Sequence, residues 1–190
     1  MAELRCDWCL SSPEYIAYHD NEWGKPVTDD QTLFEFIVLE SAQAGLSWIT
    51  ILRKREGYRN AFHQFAPTKV ASMTADDIDR LSQHRGKIAA TISNAQCFLR
   101  IAEEFGSFAN YYWAFSDNKV ITNQPKTLAD VPAVTPLAEM ISKDMKKRGF
   151  KFFGPTICYA FMQATGMVDD HLIDNLGFFK ITDKLISISF

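Results

Sequence analysis

Apolar positions recur at helical intervals along most of the chain, and the densest run is Asp29 to Trp48, DDQTLFEFIVLESAQAGLSW. Leu33, Phe36, Ile37 and Ala44 fall on one stripe, at the steps of three, four and seven expected of a single buried helical face. Thr28 and Gln31 have the spacing of a capping box, which predicts the helix start, and Gly45 predicts its end. Glu40 lies on the same stripe. A carboxylate on a core-facing stripe must find a donor or a cation, or give up its charge. Leu46 and Trp48 follow the helix end directly. Two readings of Glu40 stand side by side: a structural acid held by an arginine or a backbone amide, or the polar end of a pocket for a flat ligand.

The same pattern predicts helices elsewhere. Ser12-Pro13-Glu14 opens a short one through Tyr18, with Tyr15 and Tyr18 on a shared face. After Trp48 the helical pattern resumes through Ile51 and Leu52 to about Phe62, and Pro67 breaks it. Thr74 to Asp77 starts a short helix carrying Ile78 and Leu81, followed by a basic turn, Ser82-Gln-His-Arg-Gly86. A long helix then places Ile88, Ile92, Ala95, Leu99 and Ala102 on one stripe and stops at Gly106. Residues 107–134 are irregular, with a brief extended piece at Lys119 to Thr122. Thr135-Pro136 opens a helix ending at Lys146-Lys-Arg-Gly149, and Gly154-Pro155-Thr156 opens an apolar one closed by Gly166. The fold class read from this is all-α, a helical bundle with no convincing strand pair. It forms a single domain over 1–190, with a helical core at about 28–106 and 135–166 and an aromatic segment, 6–27, packed on it.

Composition narrows the field. An apolar content of 47%, with 13% of the chain aromatic, supplies a packed interior. No apolar run is long enough to cross a bilayer, and MAELRCDW lacks the character of a signal peptide. Four irregularly placed cysteines do not form a secreted disulfide framework, so a cytoplasmic protein with reduced thiols is expected. The net charge of −3 argues against indiscriminate coating of nucleic acid, although cations cluster at Arg53-Lys54-Arg55 with Arg59, at His84-Arg85-Gly86-Lys87, and at Lys146-Lys147-Arg148 with Lys151. Each cluster reads equally as a solvated helix face. The helix–turn–helix at Gly86 is also a way to aim backbone amides at a phosphate.

Candidate chemistry is sparse. There is no nucleotide-binding glycine loop, serine elbow or close pair of catalytic acids. Cys6-Asp-Trp-Cys9, His19 and His171 are thiols and imidazoles of the kinds zinc takes, although no second half-site of regular spacing exists. Cys97 and Cys158 read as buried small hydrophobes. Trp8, Tyr15, Tyr18 and Trp23 are either core edge or a wall for stacking a planar ligand.

Four stretches resemble the 3-methyladenine DNA glycosylase I family, a branch of the helix-hairpin-helix repair enzymes. They are YIAYHDNEWG (15–24), LFEFIVLESAQAGLSWITILRKR (33–55), HRGKI with SNAQ (84–96) and KKRGFKFFGPTICYAFMQATG (146–166). The resemblance implies hydrolysis of the N-glycosidic bond of 3-methyladenine in alkylated double-stranded DNA, by a monomer with no membrane partner. It implies that Glu40 hydrogen-bonds the excised base, and that Tyr15, Tyr18, Trp23 and Trp48 form an aromatic pocket. It further implies that Leu46 acts as a wedge at the vacated stack, while His84, Arg85, Gly86 and Lys87 face the DNA. A structural zinc is implied through Cys6, His19 and His171, plus a cysteine four residues further on. That place is Asn175 here, leaving Cys9 as the candidate fourth ligand, with water and Asp174 as competitors. The family also has more residues between Leu81 and His84. The shortened hairpin supports a second reading, a non-catalytic relative that binds damaged DNA or the free base without turnover.

Overall fold

The aromatic and aliphatic side chains of Leu33 to Glu40 are buried on every side, so the helix that carries them forms the centre of the molecule rather than one of its faces. The structure is a computed structural model and describes residues 5–43, 45–81 and 85–172. Among these, nine α-helices occur: α1 (Pro13–Asn21), α2 (Asp30–Ala42), α3 (Trp48–Ala61), α4 (Pro67–Ala71), α5 (Ala75–Leu81), α6 (Arg85–Phe105), α7 (Phe108–Ala114), α8 (Pro136–Lys147) and α9 (Pro155–Ala164). α2 packs against α3, α6, α7 and α9. A helix buried all round has no polar face, which is why the single-stripe expectation understated it. Ala44, the last residue of that stripe, lies outside the described residues.

The ends of α2 depart from the expected capping box. Asp29 is the N-cap, its Oδ2 accepting from Thr32 N at 2.8 Å, while the Gln31 amide donates to the Gln64 carbonyl at 2.7 Å instead of reaching back. An aspartate satisfies an orphan amide as well as a threonine does, so the start moves one residue along. Gly45 follows the helix end with φ +81, as expected of a left-handed terminator.

Three further corrections concern the middle of the chain. The segment read as irregular contains α7, whose Tyr112 and Trp113 are fully buried although they lie outside the expected core ranges. Its composition, FANYYWA, has no polar face to generate a period. Its start is capped by Ser107 and by the carboxylate of Asp30 on α2, which accepts from Phe108 N (2.9 Å) and Ala109 N (2.8 Å). The long helix buries Cys97, Phe98 and Ile101 beside Ile88, Ile92 and Ala95, leaving Leu99 and Ala102 at the edge, because α7 and α4 clasp it from two sides. Gly86, expected in the turn, already lies in the first turn of α6, and residues 82–84 lie outside the described residues.

A strand pair also forms where none was expected. The extended piece at Ile121–Thr122 (β1) pairs in parallel with Val168–Asp169 (β2), through Ile121 N to Met167 O at 2.9 Å and Asn123 N to Asp169 O at 3.1 Å. Two-residue strands are too short to produce an alternation. Their effect is positional, since they fix Asp169, Asp170 and His171 beyond α9. The N-terminal segment is laced to the same region by Gly24 N to Gln163 O (3.1 Å) and Val27 N to Thr165 O (3.0 Å). Gly166, at φ +71, leaves no room for a Cβ against the backbone of Lys25, and a Cβ on Gly24 would sit 2.7 Å from the His171 ring.

Candidate active site

Glu35 and Glu40 share α2 and are both buried, yet their surroundings are opposite. Glu35 Oε1 accepts from Arg55 Nε at 2.6 Å and Arg59 Nε at 2.9 Å, and Arg55 donates also to Glu22 at 2.6 Å. Glu35 is therefore the structural glutamate, and it withdraws Arg55 and Arg59 from the basic cluster that could have met phosphate. Glu40 receives no such help. Burial alone pushes its carboxyl up to about 8, with no hydrogen bond or charge from the described residues acting on it.

Around Glu40 the structure gathers aromatic rings from two helices and the turn that follows the first. Tyr15 and Tyr18 stand on α1, Trp23 just beyond it, and Trp48 is the first residue of α3. All four line, with Glu40, one cavity of about 240 Å³. Trp48 and Tyr18 lie 5.5 Å apart between centroids, tilted by 53°. Burial first, and then the Glu40 charge, holds the Tyr18 phenol well above its usual range. The Trp48 indole Nε1 is buried with no hydrogen-bond partner among the described residues, an orphan donor on a residue of the wall.

Trp8, read from the sequence with the other rings of its segment, braces Tyr15 (4.9 Å) and Trp23 (5.1 Å) edge-on. Two wall residues escaped the sequence reading. Gln163 on α9 and Asp170 beyond β2 reach the cavity through tertiary packing, and no local motif announces either. A second, larger cavity of about 440 Å³ lies on the other side of the α2–α3 connection, lined by Leu46, Tyr58, Phe62 and Lys87. It has apolar walls and a cationic rim, but it contains no acid of the Glu40 kind.

The matching family profile, methyladenine glycosylase, covers residues 8–177. The chain belongs to that family. It is 51% identical over 175 residues to DNA-3-methyladenine glycosylase 1 of Escherichia coli, an alignment covering 89% of this chain and 94% of that protein. A Haemophilus influenzae DNA-3-methyladenine glycosylase is likewise 51% identical, over 90% of this chain and 95% of its own length. A solved variant of 3-methyladenine DNA glycosylase I in complex with 3-methyladenine superposes with a TM-score of 0.87 at 42% identity, covering 92% of this chain and 96% of that one.

The residues expected to face DNA in this glycosylase-family chain are more scattered. Leu46 is 43% exposed on the α2–α3 connection and lines the second, larger cavity rather than the one that holds Glu40 and Trp48. Arg85 pairs with Asp79 across the α5–α6 junction. Gly86 is exposed, and the Lys87 ammonium donates to the Ala42 carbonyl at the end of α2 at 3.2 Å. His84 lies outside the described residues. Arg148, from the third basic cluster, is engaged by Glu104 and Asp144.

Cys6, Cys9, His19 and His171 are of the donor types that zinc takes. His19 Nδ1 donates to Asp20 Oδ1 at 2.9 Å and His171 Nδ1 to Asp169 Oδ1 at 2.7 Å, the carboxylate support usual for metal-binding imidazoles. The rings lie 5.3 Å apart, and His19 Nε2 is buried with no hydrogen-bond partner among the described residues. Cys6 and Cys9 are both buried, and burial, followed by the neighbouring Cys6, pushes the Cys9 thiol up to about 11. Among the described residues no three of these groups converge into a set that could hold a metal, and Asp174 and Asn175 lie outside them. No described helix is long and apolar enough to cross a membrane.

Proposed function

We propose that this chain is a DNA base-excision repair glycosylase that hydrolyses the N-glycosidic bond of 3-methyladenine in alkylated double-stranded DNA. The observation that carries the reading is Glu40, a buried acid with no side-chain partner among the described residues, on the wall of a cavity built from aromatic rings. A base inside a duplex must be flipped out before its glycosidic bond can be reached. N3-methylation leaves the adenine cationic and already a good leaving group. The cavity therefore needs to bind the departing base more than to protonate it. Electron-rich ring faces attract a flat cation. Burial holds the proton on Glu40 up to about 8, and an arriving cation favours its charged form, supplying a countercharge to the edge of the base. Tyr15, Tyr18, Trp23 and Trp48 provide the faces, and Leu46 fills the vacated place in the stack.

The test is release of free 3-methyladenine from methylated duplex DNA. Release at a rate well above spontaneous depurination is expected. Binding of the free base with no release would instead support the non-catalytic relative.

Cys6, His19 and His171 would hold a zinc ion, with Cys9 as fourth ligand. Such an ion would tie the N-terminal segment to the chain beyond β2 and add to folding stability without taking part in the reaction.

A further inference from the structure

Asp170 is 3% exposed, lines the cavity and accepts three hydrogen bonds, none of them from a cation. Tyr159 Oη (2.6 Å) and Gln163 Nε2 (2.7 Å) donate to its Oδ2, and Asn123 Nδ2 (2.8 Å) donates to its Oδ1. Three elements converge on it: α9 through Tyr159 and Gln163, the end of β1 through Asn123, and β2, which places Asp170 itself. An ionised carboxylate has only acceptor sites, so each neighbour must turn a donor toward it.

For Gln163 this settles which way round the amide lies, since either end of an amide can otherwise face a given partner. Its Nε2 is committed to Asp170. Its Oε1 takes no hydrogen bond from the described residues, on a side chain that also lines the cavity. The amide therefore offers the cavity a fixed acceptor. Glu40, once ionised, is a second acceptor.

Building on the glycosylase reading above, we propose that Asp170 is a specificity-positioning residue. It locks Gln163 with its carbonyl oxygen toward the ligand, and so selects purines whose six-position carries an amino donor. A 6-oxo purine would set its own oxygen against the lone pairs of Gln163 Oε1. That pairing costs affinity because the two acceptors face each other with no proton to share.

The test is calorimetric binding of two free bases, 3-methyladenine and its 6-oxo analogue 3-methylhypoxanthine, to the full chain and to Asp170→Asn and Gln163→Ala. The wild type is expected to prefer the amino base by about tenfold or more. Both substitutions should lower that ratio several-fold, toward what Glu40 alone sets, because asparagine offers Gln163 an N–H toward which its carbonyl can turn, and alanine removes the acceptor. Thermal melts accompany each variant, and if Asp170→Asn does not fold, Gln163→Ala decides alone. A folded variant that weakens both bases equally, or leaves the ratio intact, overturns the proposal, as does a wild type that binds 3-methyladenine without preference. A wild type that binds neither base overturns the glycosylase reading, and this inference with it.

Discussion

Glu40 is a stability cost that the fold tolerates. Its partner on the same helix, Glu35, is met by two arginines and contributes to holding α1, α2 and α3 together. Glu40 is buried and unassisted, and its carboxyl is raised from 4.5 to about 8. Between those values the unfolded chain has released this proton while the folded chain still holds it. Stability therefore falls as pH rises through that window, by about 1.4 kcal/mol per unit at most. Below the window the contribution is fully present; above it, it is fully lost. Glu40→Gln removes the titration. Urea midpoints at pH 5 and pH 8 should show the variant gaining on the wild type with rising pH, by an amount on the order of several kcal/mol. Parallel curves for the two proteins would mean that Glu40 is solvated or paired. From sequence, the stripe position of Glu40 was legible. That Glu35 would be satisfied and Glu40 would not depends on Arg55 and Arg59, which α3 brings back across α2, and a local pattern does not contain that.

At the scale of elements, helix starts and stops were readable wherever a cap was encoded within a few residues. Ser12, Thr135, Gly149 and Gly154 behave as expected because each acts on its own helix. α7 was not readable, because its cap is partly Asp30 from another helix and its side chains are apolar on every side. The α5–α6 junction carries the question of DNA grip. Arg85 is paired with Asp79, but both are largely exposed, and exposed pairs of this kind are weak enough to be exchanged for a phosphate. Lys87 instead supports the end of α2, close to Glu40, so its removal would disturb the base pocket as well. Arg85→Ala is the cleaner probe. It should weaken duplex binding and lower the slope of log affinity against log salt by about one, leaving free-base affinity unchanged. Unchanged duplex affinity and slope would remove Arg85 from the interface.

Over the whole molecule, the cavity depends on the first and last of the described segments meeting. Trp8, Tyr15, Tyr18 and Trp23 come from the first residues, Gln163 and Asp170 from the region after α8, and α2 lies between them. The aromatic half of this wall was visible in sequence as a cluster, whereas the polar half was invisible because it is assembled by a two-residue strand pair and by Gly24 and Gly166 allowing close approach. A zinc ion through Cys6, His19 and His171 would reinforce the same junction. Elemental analysis of protein prepared without chelator should find close to one zinc per chain, falling in Cys9→Ser, and protein free of zinc would exclude it. The central claim, that Glu40 reads the base rather than holding the fold, has a direct measurement: excision of 3-methyladenine from methylated duplex DNA by Glu40→Gln beside the wild type, with melting curves for both. The account predicts a folded variant, at least as stable as the wild type at neutral pH, whose excision is lost. A folded variant that excises normally, or one that unfolds, would contradict it.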